Sequence, residues 1–150
     1  GAQFSPETIL CLRELRIAGT ADLLVNRGGE WSILDWKTNK AIYRNGFGNK
    51  KMKPPLDHLD DCNYYHYALQ LSFYAVMLGQ PINKLNLVHI PKGQGTLQVI
   101  PVPFLYREIM QILEILVNEQ KIMKEMWIHR GSGRLVAKRV TNLVDGKSYA

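Results

Sequence analysis

The sequence is poor in cysteine and lacks long apolar runs. Its 150 residues include only two cysteines, Cys11 and Cys62. Two thiols cannot form a four-cysteine zinc or iron–sulfur site, and we interpret both as reduced thiols of a cytoplasmic protein. No apolar run reaches the roughly 18 residues that a membrane-spanning helix needs. We therefore predict no membrane partner.

Several functional motifs are also missing. No serine or cysteine lies in a Gly-x-Ser-x-Gly nucleophile motif, and the four histidines lack metal-ligand spacing. Gly46-Phe47-Gly48 does not link a strand to a helix, as a phosphate-binding loop does. Positive charge, in contrast, is abundant, with a formal net charge of +6. This excess favours a polyanionic partner, although an ordinary basic surface explains it as well.

Hydrophobic periodicity and turn residues predict an α/β fold in a single domain, residues 1–150. A central mixed sheet, an antiparallel meander with further strands, is flanked by helices. The first helix carries no charged residue, is capped near Asn63 and ends before Gly79. The tail from about residue 131 is basic and is predicted to be partly flexible. The predicted strands are 6–12, 17–25, 31–38, 84–90 and 96–102, and the predicted helices are 64–78 and 104–128.

Gly28-Gly29 is a strong signal for a two-residue hairpin loop. In such a hairpin the numbers of facing residues sum to 57, so Asp22 faces Asp35. Facing side chains lie about 5 Å apart, and two like charges there destabilise a sheet. A hard divalent cation that takes oxygen ligands would relieve this repulsion. Lys37, two residues after Asp35, lies on the same side of the strand.

The preceding turn extends this row of side chains. If it centres on Glu14-Leu15, facing numbers sum to 29 and Glu7 stands beside Asp22. An Asp-x-Lys pair has an alternative interpretation, a salt bridge on a solvated strand face. Here the pair follows Ile33-Leu34, so the strand is central. A half-buried cluster of two acids and a lysine is costly unless a metal or substrate compensates it.

Two further segments carry candidate residues. Gln70 and Tyr74 share a face of the charge-free helix. Gln70 either forms hydrogen bonds within the core or orients a group of the acidic site. The loop 40–53 combines five cations with Tyr43 and Phe47 and contains no acid. Such a loop suits single-stranded nucleic acid, and its alternative is a solvated flexible loop. The candidate DNA-binding cations are Lys40, Arg44, Lys50, Lys51 and Lys53.

Taken together, Gly19-x-x-Asp22, Asp35-x-Lys37 and Gln70-x-x-x-Tyr74 resemble the PD-(D/E)XK nuclease superfamily. The similarity is to its RecB-like branch, which includes phage and mitochondrial genome-maintenance exonucleases. It covers residues 7–78, and it implies a restriction-endonuclease-like core. Relatives usually have helices before the first strand, whereas this sequence begins almost at that strand.

The resemblance implies a role for each matching residue. Asp22, Asp35 and the backbone carbonyl of Trp36 would ligate Mg²⁺ or Mn²⁺, with Glu7 as a further acid. Lys37 would position or deprotonate the attacking water, or stabilise charge on the phosphate. Gln70 and Tyr74 would support the site and contact DNA.

The resulting expectation is a metal-dependent deoxyribonuclease, an exonuclease of recombination, repair or phage DNA processing, in a bacterial or phage-encoded cytoplasmic protein. The alternative is a non-catalytic nucleic-acid-binding module that keeps the nuclease fold. A third interpretation is a structural domain whose acids are merely solvated. The motifs leave open exonuclease or endonuclease action, the polarity and strand preference, the number of metals and the oligomeric state.

Overall fold

The computed structural model of the protein describes residues 1–93 and 95–130, with side chains described as far as Lys121. Its elements confirm the predicted α/β class, and their ends lie within four residues of the predicted ones. The predicted basic tail from about residue 131 lies outside the described residues. The strands are β1 (Ala2–Leu12), β2 (Ile17–Arg27), β3 (Glu30–Lys37), β4 (Ile82–His89) and β5 (Gln98–Val102), and the helices are α1 (Asn63–Leu78) and α2 (Tyr106–Arg130).

The five strands form one mixed sheet in the order β1-β2-β3-β4-β5. Strands β3 and β4 are parallel, and the other neighbouring pairs are antiparallel. Parallel neighbours need a crossover connection, which α1 provides here between β3 and β4. The helix contacts β1 to β4 and also α2. Helix α1 therefore packs on the sheet, with α2 against it.

Both predicted registers are confirmed. The β2–β3 pairs, from Leu23 opposite Leu34 to Arg27 opposite Glu30, have numbers that sum to 57. Gly28 and Gly29 have φ values of 62° and 86°, which glycine adopts without steric cost. The pairs of β1 and β2 sum to 29. Their turn is a short 3₁₀ segment, Arg13–Leu15, that Arg16 ends with a left-handed φ of 53°.

The start of α1 differs from the prediction. Cys62 occupies the N-cap position, and no side chain caps the helix there. Asn63 is the first helical residue, and its amide bonds to the preceding loop instead. Its Oδ1 accepts the N–H of Tyr43 at 2.7 Å, and its Nδ2 donates to the Ala41 carbonyl at 2.9 Å. The asparagine therefore holds the loop 40–53 against the helix.

The absence of charge in α1 reflects its central position. Eight of its side chains are buried, and the seven apolar or aromatic ones form one core cluster with strand residues and with Ile109, Ile112 and Leu116 of α2. Ser72 is fully buried, and its hydroxyl accepts the N–H of Leu105 at 2.9 Å. Neither helix in the described part of the chain combines the length and apolarity that a bilayer crossing requires.

Candidate functional site

The predicted acidic pair lies where two paired strands separate. The β2–β3 ladder stops at Leu23–Leu34. Beyond that point β2 stays paired with β1, and β3 stays paired with β4 as far as Lys37. Asp22 and Asp35 are the next residues after the last pair, and we call this position the fork. Here the carboxylate of Asp22, Oδ2, accepts the N–H of Trp36 at 2.9 Å.

Asp35 is the buried acid of the fork, with only 4% of its surface exposed. Its Oδ2 forms an ion pair with Lys37 Nζ at 2.6 Å, but the contact is not aligned as a hydrogen bond, and no other described residue supplies one. Burial raises the pKa of Asp35 to about 6. Lys37 lowers this pKa, and the nearby Asp22 carboxylate raises it further. At the fork, the cost of burying the Asp35 carboxylate therefore outweighs the stabilisation that its ion pair with Lys37 provides.

A chain of polar contacts joins the fork to α1. Lys37 Nζ donates to Gln70 Oε1 at 3.3 Å, and Gln70 Nε2 donates to the Tyr74 hydroxyl oxygen at 3.0 Å. Burial raises the pKa of Tyr74, and the negative charges of Asp35 and Asp22 add to that effect. The structure thus brings together Asp22, Asp35, Lys37, Gln70 and Tyr74. The position of Gln70 favours the second sequence interpretation, an amide that orients a group of the acidic site.

Sequence analysis missed one residue of this cluster, Tyr67. Its ring lies under Lys37, with Nζ 4.1 Å from the ring centroid, a cation–π contact. Tyr67 precedes Gln70 by three residues and so shares its helix face, a signal that could have identified it. His66 points to another partner, since its Nε2 lies 2.8 Å from Asp61 Oδ1.

Gly19 is required by the close approach of Tyr74. A Cβ atom at residue 19 would lie 2.7 Å from Tyr74 Cε1, closer than real carbon atoms pack. The glycine of the Gly-x-x-Asp motif therefore leaves room for the aromatic ring that holds Gln70. This gives a packing reason for the first residue of the motif.

We expect Gly19→Ala to destabilise the protein by about 1–3 kcal/mol, because the tyrosine ring must move in a packed core. Urea unfolding measures this change. Gly95→Ala is the matched control, since a Cβ there meets no atom within 4 Å. Equal stability of the two variants would contradict the packing role of Gly19.

Glu7 does not join the two aspartates in a cluster of three. The pairs on either side of it, Pro6–Leu23 and Thr8–Ala21, keep the register that places Glu7 opposite Asp22. The residue itself is exposed and has a left-handed φ of 47°. Within the described residues, no three acidic, histidine or cysteine side chains are grouped as metal ligands. The structure therefore supplies two side-chain carboxylates at the fork.

The loop 40–53 is folded against an acidic segment. Lys50 Nζ lies 2.9 Å from Asp61 Oδ2, and Lys51 pairs with Asp60. The hydrogen bond from Lys51 lowers the pKa of Asp60, and the N–H of Gly46 bonds to the same carboxylate. Two of the five candidate DNA-binding cations are therefore engaged within the protein.

The other three candidate cations, Lys40, Arg44 and Lys53, form no ion pair with any described residue. The Arg44 guanidinium lies 4.4 Å from the centroid of the Tyr64 ring. Tyr43 is 63% exposed and Phe47 is 98% exposed. Two accessible aromatic rings thus accompany the unpaired cations on this loop.

The fork has features that a divalent cation would complete. Its donors are the carboxylates of Asp22 and Asp35, and among the described residues Lys37 is the cation already paired with Asp35 Oδ2. Mg²⁺ is commonly held by one or two carboxylates and keeps several water ligands. The donor set therefore fits Mg²⁺ or Mn²⁺.

Comparisons with known proteins add no family to this picture. Protein-family models give no match to the chain, and the curated proteins give no similar sequence. The motifs and the geometry of the fork are therefore the basis for inferring its chemistry.

Proposed function

We propose that the protein is a divalent-metal-dependent deoxyribonuclease, an exonuclease of the PD-(D/E)XK superfamily. We also propose that its mixed sheet, with α1, is the restriction-endonuclease-like core of that superfamily. The observation that carries the proposal is the meeting of Asp35, Lys37 and Gln70 at the fork beside Asp22. Gln70 lies 33 residues from Lys37 in sequence, so their contact is independent support for reading the three motifs as one site.

Asp22 and Asp35 would hold Mg²⁺ or Mn²⁺. The carbonyl of Trp36 is the third candidate ligand. Its N–H points to Asp22 on β2, and the N–H and C=O of one strand residue point to the same side. When bound, such a metal lowers the pKa of coordinated water and polarises a phosphoryl oxygen.

Lys37 would bind the phosphate group that is cleaved. Its three partners, the Asp35 carboxylate, the Gln70 amide oxygen and the Tyr67 ring face, all suit a cation. A fixed ammonium group stabilises negative charge that develops on a phosphate oxygen. We therefore assign Lys37 this electrostatic role in preference to that of a general base.

Gln70 and Tyr74 would position Lys37. Both lie on α1, whose packed side chains leave little freedom for movement. Gln70 accepts from Lys37 and donates to Tyr74, which uses both ends of its amide. These two hydrogen bonds define the orientation of the Gln70 amide, and the bond to Lys37 holds the lysine ammonium group at the fork.

The unpaired cations of the loop 40–53 support DNA as the substrate. Lys40 and Arg44 follow Lys37 closely in sequence, and Tyr43, whose ring is exposed, lies between them in the chain. Contacts between cations and phosphates provide affinity without sequence preference. Exposed aromatic rings stack on unpaired bases.

The test is cleavage of end-labelled single-stranded DNA, linear duplex DNA and closed circular DNA, each with Mg²⁺, Mn²⁺ or EDTA. We expect loss of the linear substrates with either metal, no loss in EDTA, and survival of the circle. The position of the label then gives the polarity of digestion.

Two results would contradict this expectation. Cleavage of the circle would replace exonuclease action with endonuclease action. No cleavage by folded protein, together with DNA binding that weakens as salt increases, would indicate the non-catalytic binding module.

A further inference from the structure

A cavity of about 560 Å³ lies at the ends of β3 and β4, between the start of the loop 40–53 and strand β5. None of its described lining residues belongs to the fork. This volume lies in the range of about 300–1,000 Å³ that is typical of small-molecule sites. It is lined by apolar residues, including Ile42 and Ile100, and by the polar residues Lys40, Arg44, His89 and Gln98.

The charged residues that line the cavity are all positive among those that the structure describes. Lys40 and Arg44 both line it, and no carboxylate is among the described residues of its wall. Neither cation forms an ion pair with a described residue. Two cations without a carboxylate partner, beside apolar residues, favour an anionic ligand with an apolar part. A nucleotide, with a phosphate and a flat base, has this combination.

The backbone connects the cavity to the fork. Lys40 follows Lys37 by three residues, a span of at most about 10 Å. His89 lies opposite Lys37 in the β3–β4 register, and its Nε2 donates to the Asn39 carbonyl at 2.7 Å. This hydrogen bond holds the segment between the two lysines, so the cavity keeps its place beside the fork.

We infer that this cavity is a subsite for one nucleotide of the nucleic acid strand, next to the phosphate held at the fork. Lys40 and Arg44 bind its phosphate, and the apolar wall with Gln98 receives its base. The inference rests on the proposed function for the identity of the strand. The subsite can be tested separately from the nuclease activity, because binding in the cavity requires neither metal nor turnover.

The test measures binding of a 5′-fluorescein-labelled 12-nucleotide single strand in EDTA by fluorescence anisotropy, with dAMP as competitor. Lys40→Gln with Arg44→Gln removes the cavity cations. Arg27→Gln with Lys84→Gln is the matched control. It removes the same charge from exposed residues near the hairpin end of the same sheet.

We expect the cavity pair to weaken oligonucleotide binding by about tenfold or more, since charge-assisted hydrogen bonds are lost. The control pair should weaken it by no more than about twofold. About millimolar dAMP should compete with the oligonucleotide for the wild-type protein. These three results together support the subsite.

Equal weakening by the cavity pair and the control pair would overturn the inference, because general attraction to the basic surface then explains binding. Failure of millimolar dAMP to compete for the wild-type protein would also overturn it. Cleavage assays with Mg²⁺ on the same proteins test the proposed function separately. Absent cleavage with the expected binding results would refute the nuclease proposal and leave the subsite supported.

Discussion

Replacement of Asp22 or Lys37 by alanine should abolish metal-dependent cleavage. Each change removes a charge from the fork, and loss of one preorganised charge-stabilising group lowers rates by on the order of 10²–10³ or more. Cleavage of end-labelled linear DNA, with protein concentration raised over three decades, measures the residual rate. Wild-type rates in either variant would refute the assignment of the fork as the active site.

The two alanine variants differ in what else they remove. Asp22→Ala also deprives the Trp36 N–H of its acceptor, at a cost of about 1 kcal/mol. Asp22→Asn keeps an oxygen acceptor and removes only the charge, so we expect a stable and inactive protein. Asp57→Ala and Lys84→Ala are controls, because both residues are exposed and neither lies at the fork. Circular dichroism and urea unfolding establish that each variant is folded.

Asp35→Asn should inactivate the protein and, without metal, make it more stable at neutral pH. Burial raises the pKa of Asp35 from 3.8 to about 6 in the folded chain. The folded state therefore binds the proton more tightly than the unfolded state does. Between about pH 4 and pH 6 the free energy of unfolding of the wild type falls as pH rises, and above pH 6 this contribution is constant.

The difference of about two pKa units corresponds to about 3 kcal/mol. Asparagine resembles the neutral acid, so the variant should exceed the wild type by roughly this amount at pH 7. The two proteins should become equal below about pH 4. Lys37 keeps Gln70 and the Tyr67 ring as partners in the variant. Urea unfolding in EDTA, at half-unit steps from pH 4 to pH 8, measures the difference.

Thermal unfolding with Mg²⁺ tests the role of Asp35 as a metal ligand without an activity measurement. A ligand that binds only the folded state stabilises it in proportion to its affinity. Millimolar Mg²⁺ at pH 7 should therefore raise the midpoint of thermal unfolding of the wild type and leave Asp35→Asn nearly unchanged. Asp57→Asn, at an exposed site, should behave like the wild type in both experiments. Equal responses of wild type and Asp35→Asn to Mg²⁺ would contradict a metal site at the fork.

Local patterns in the sequence determined the strands and their registers. The left-handed conformations at Gly28 and Gly29 fix a two-residue loop, and the loop fixes which residues face each other. The register that makes Asp22 and Asp35 the next residues after the last β2–β3 pair follows from that loop. The same holds for the shared helix face of Gln70 and Tyr74, because helical periodicity is a local property.

Only the tertiary structure decided which partner each of these residues has. The fork forms because β2 and β3 stop pairing with each other, while β2 stays paired with β1 and β3 with β4. No local sequence pattern shows where this separation occurs. Asn63 bonds to the loop 40–53 and not to its own helix end. Lys50 and Lys51 pair with aspartates that follow the loop. In each case the outcome depends on which segments the fold brings together.

Asp35 shows most clearly which properties the sequence determined and which depend on the tertiary structure. The sequence determined that Asp35 lies on a central strand with Lys37 on the same side. Its exposure of 4% and its raised pKa depend on α1, which covers the fork after a crossover from β3. Hydrophobic periodicity specifies which face of an element is buried, whereas the electrostatic environment of one carboxylate depends on side chains from several elements. That environment is therefore a property of the folded chain.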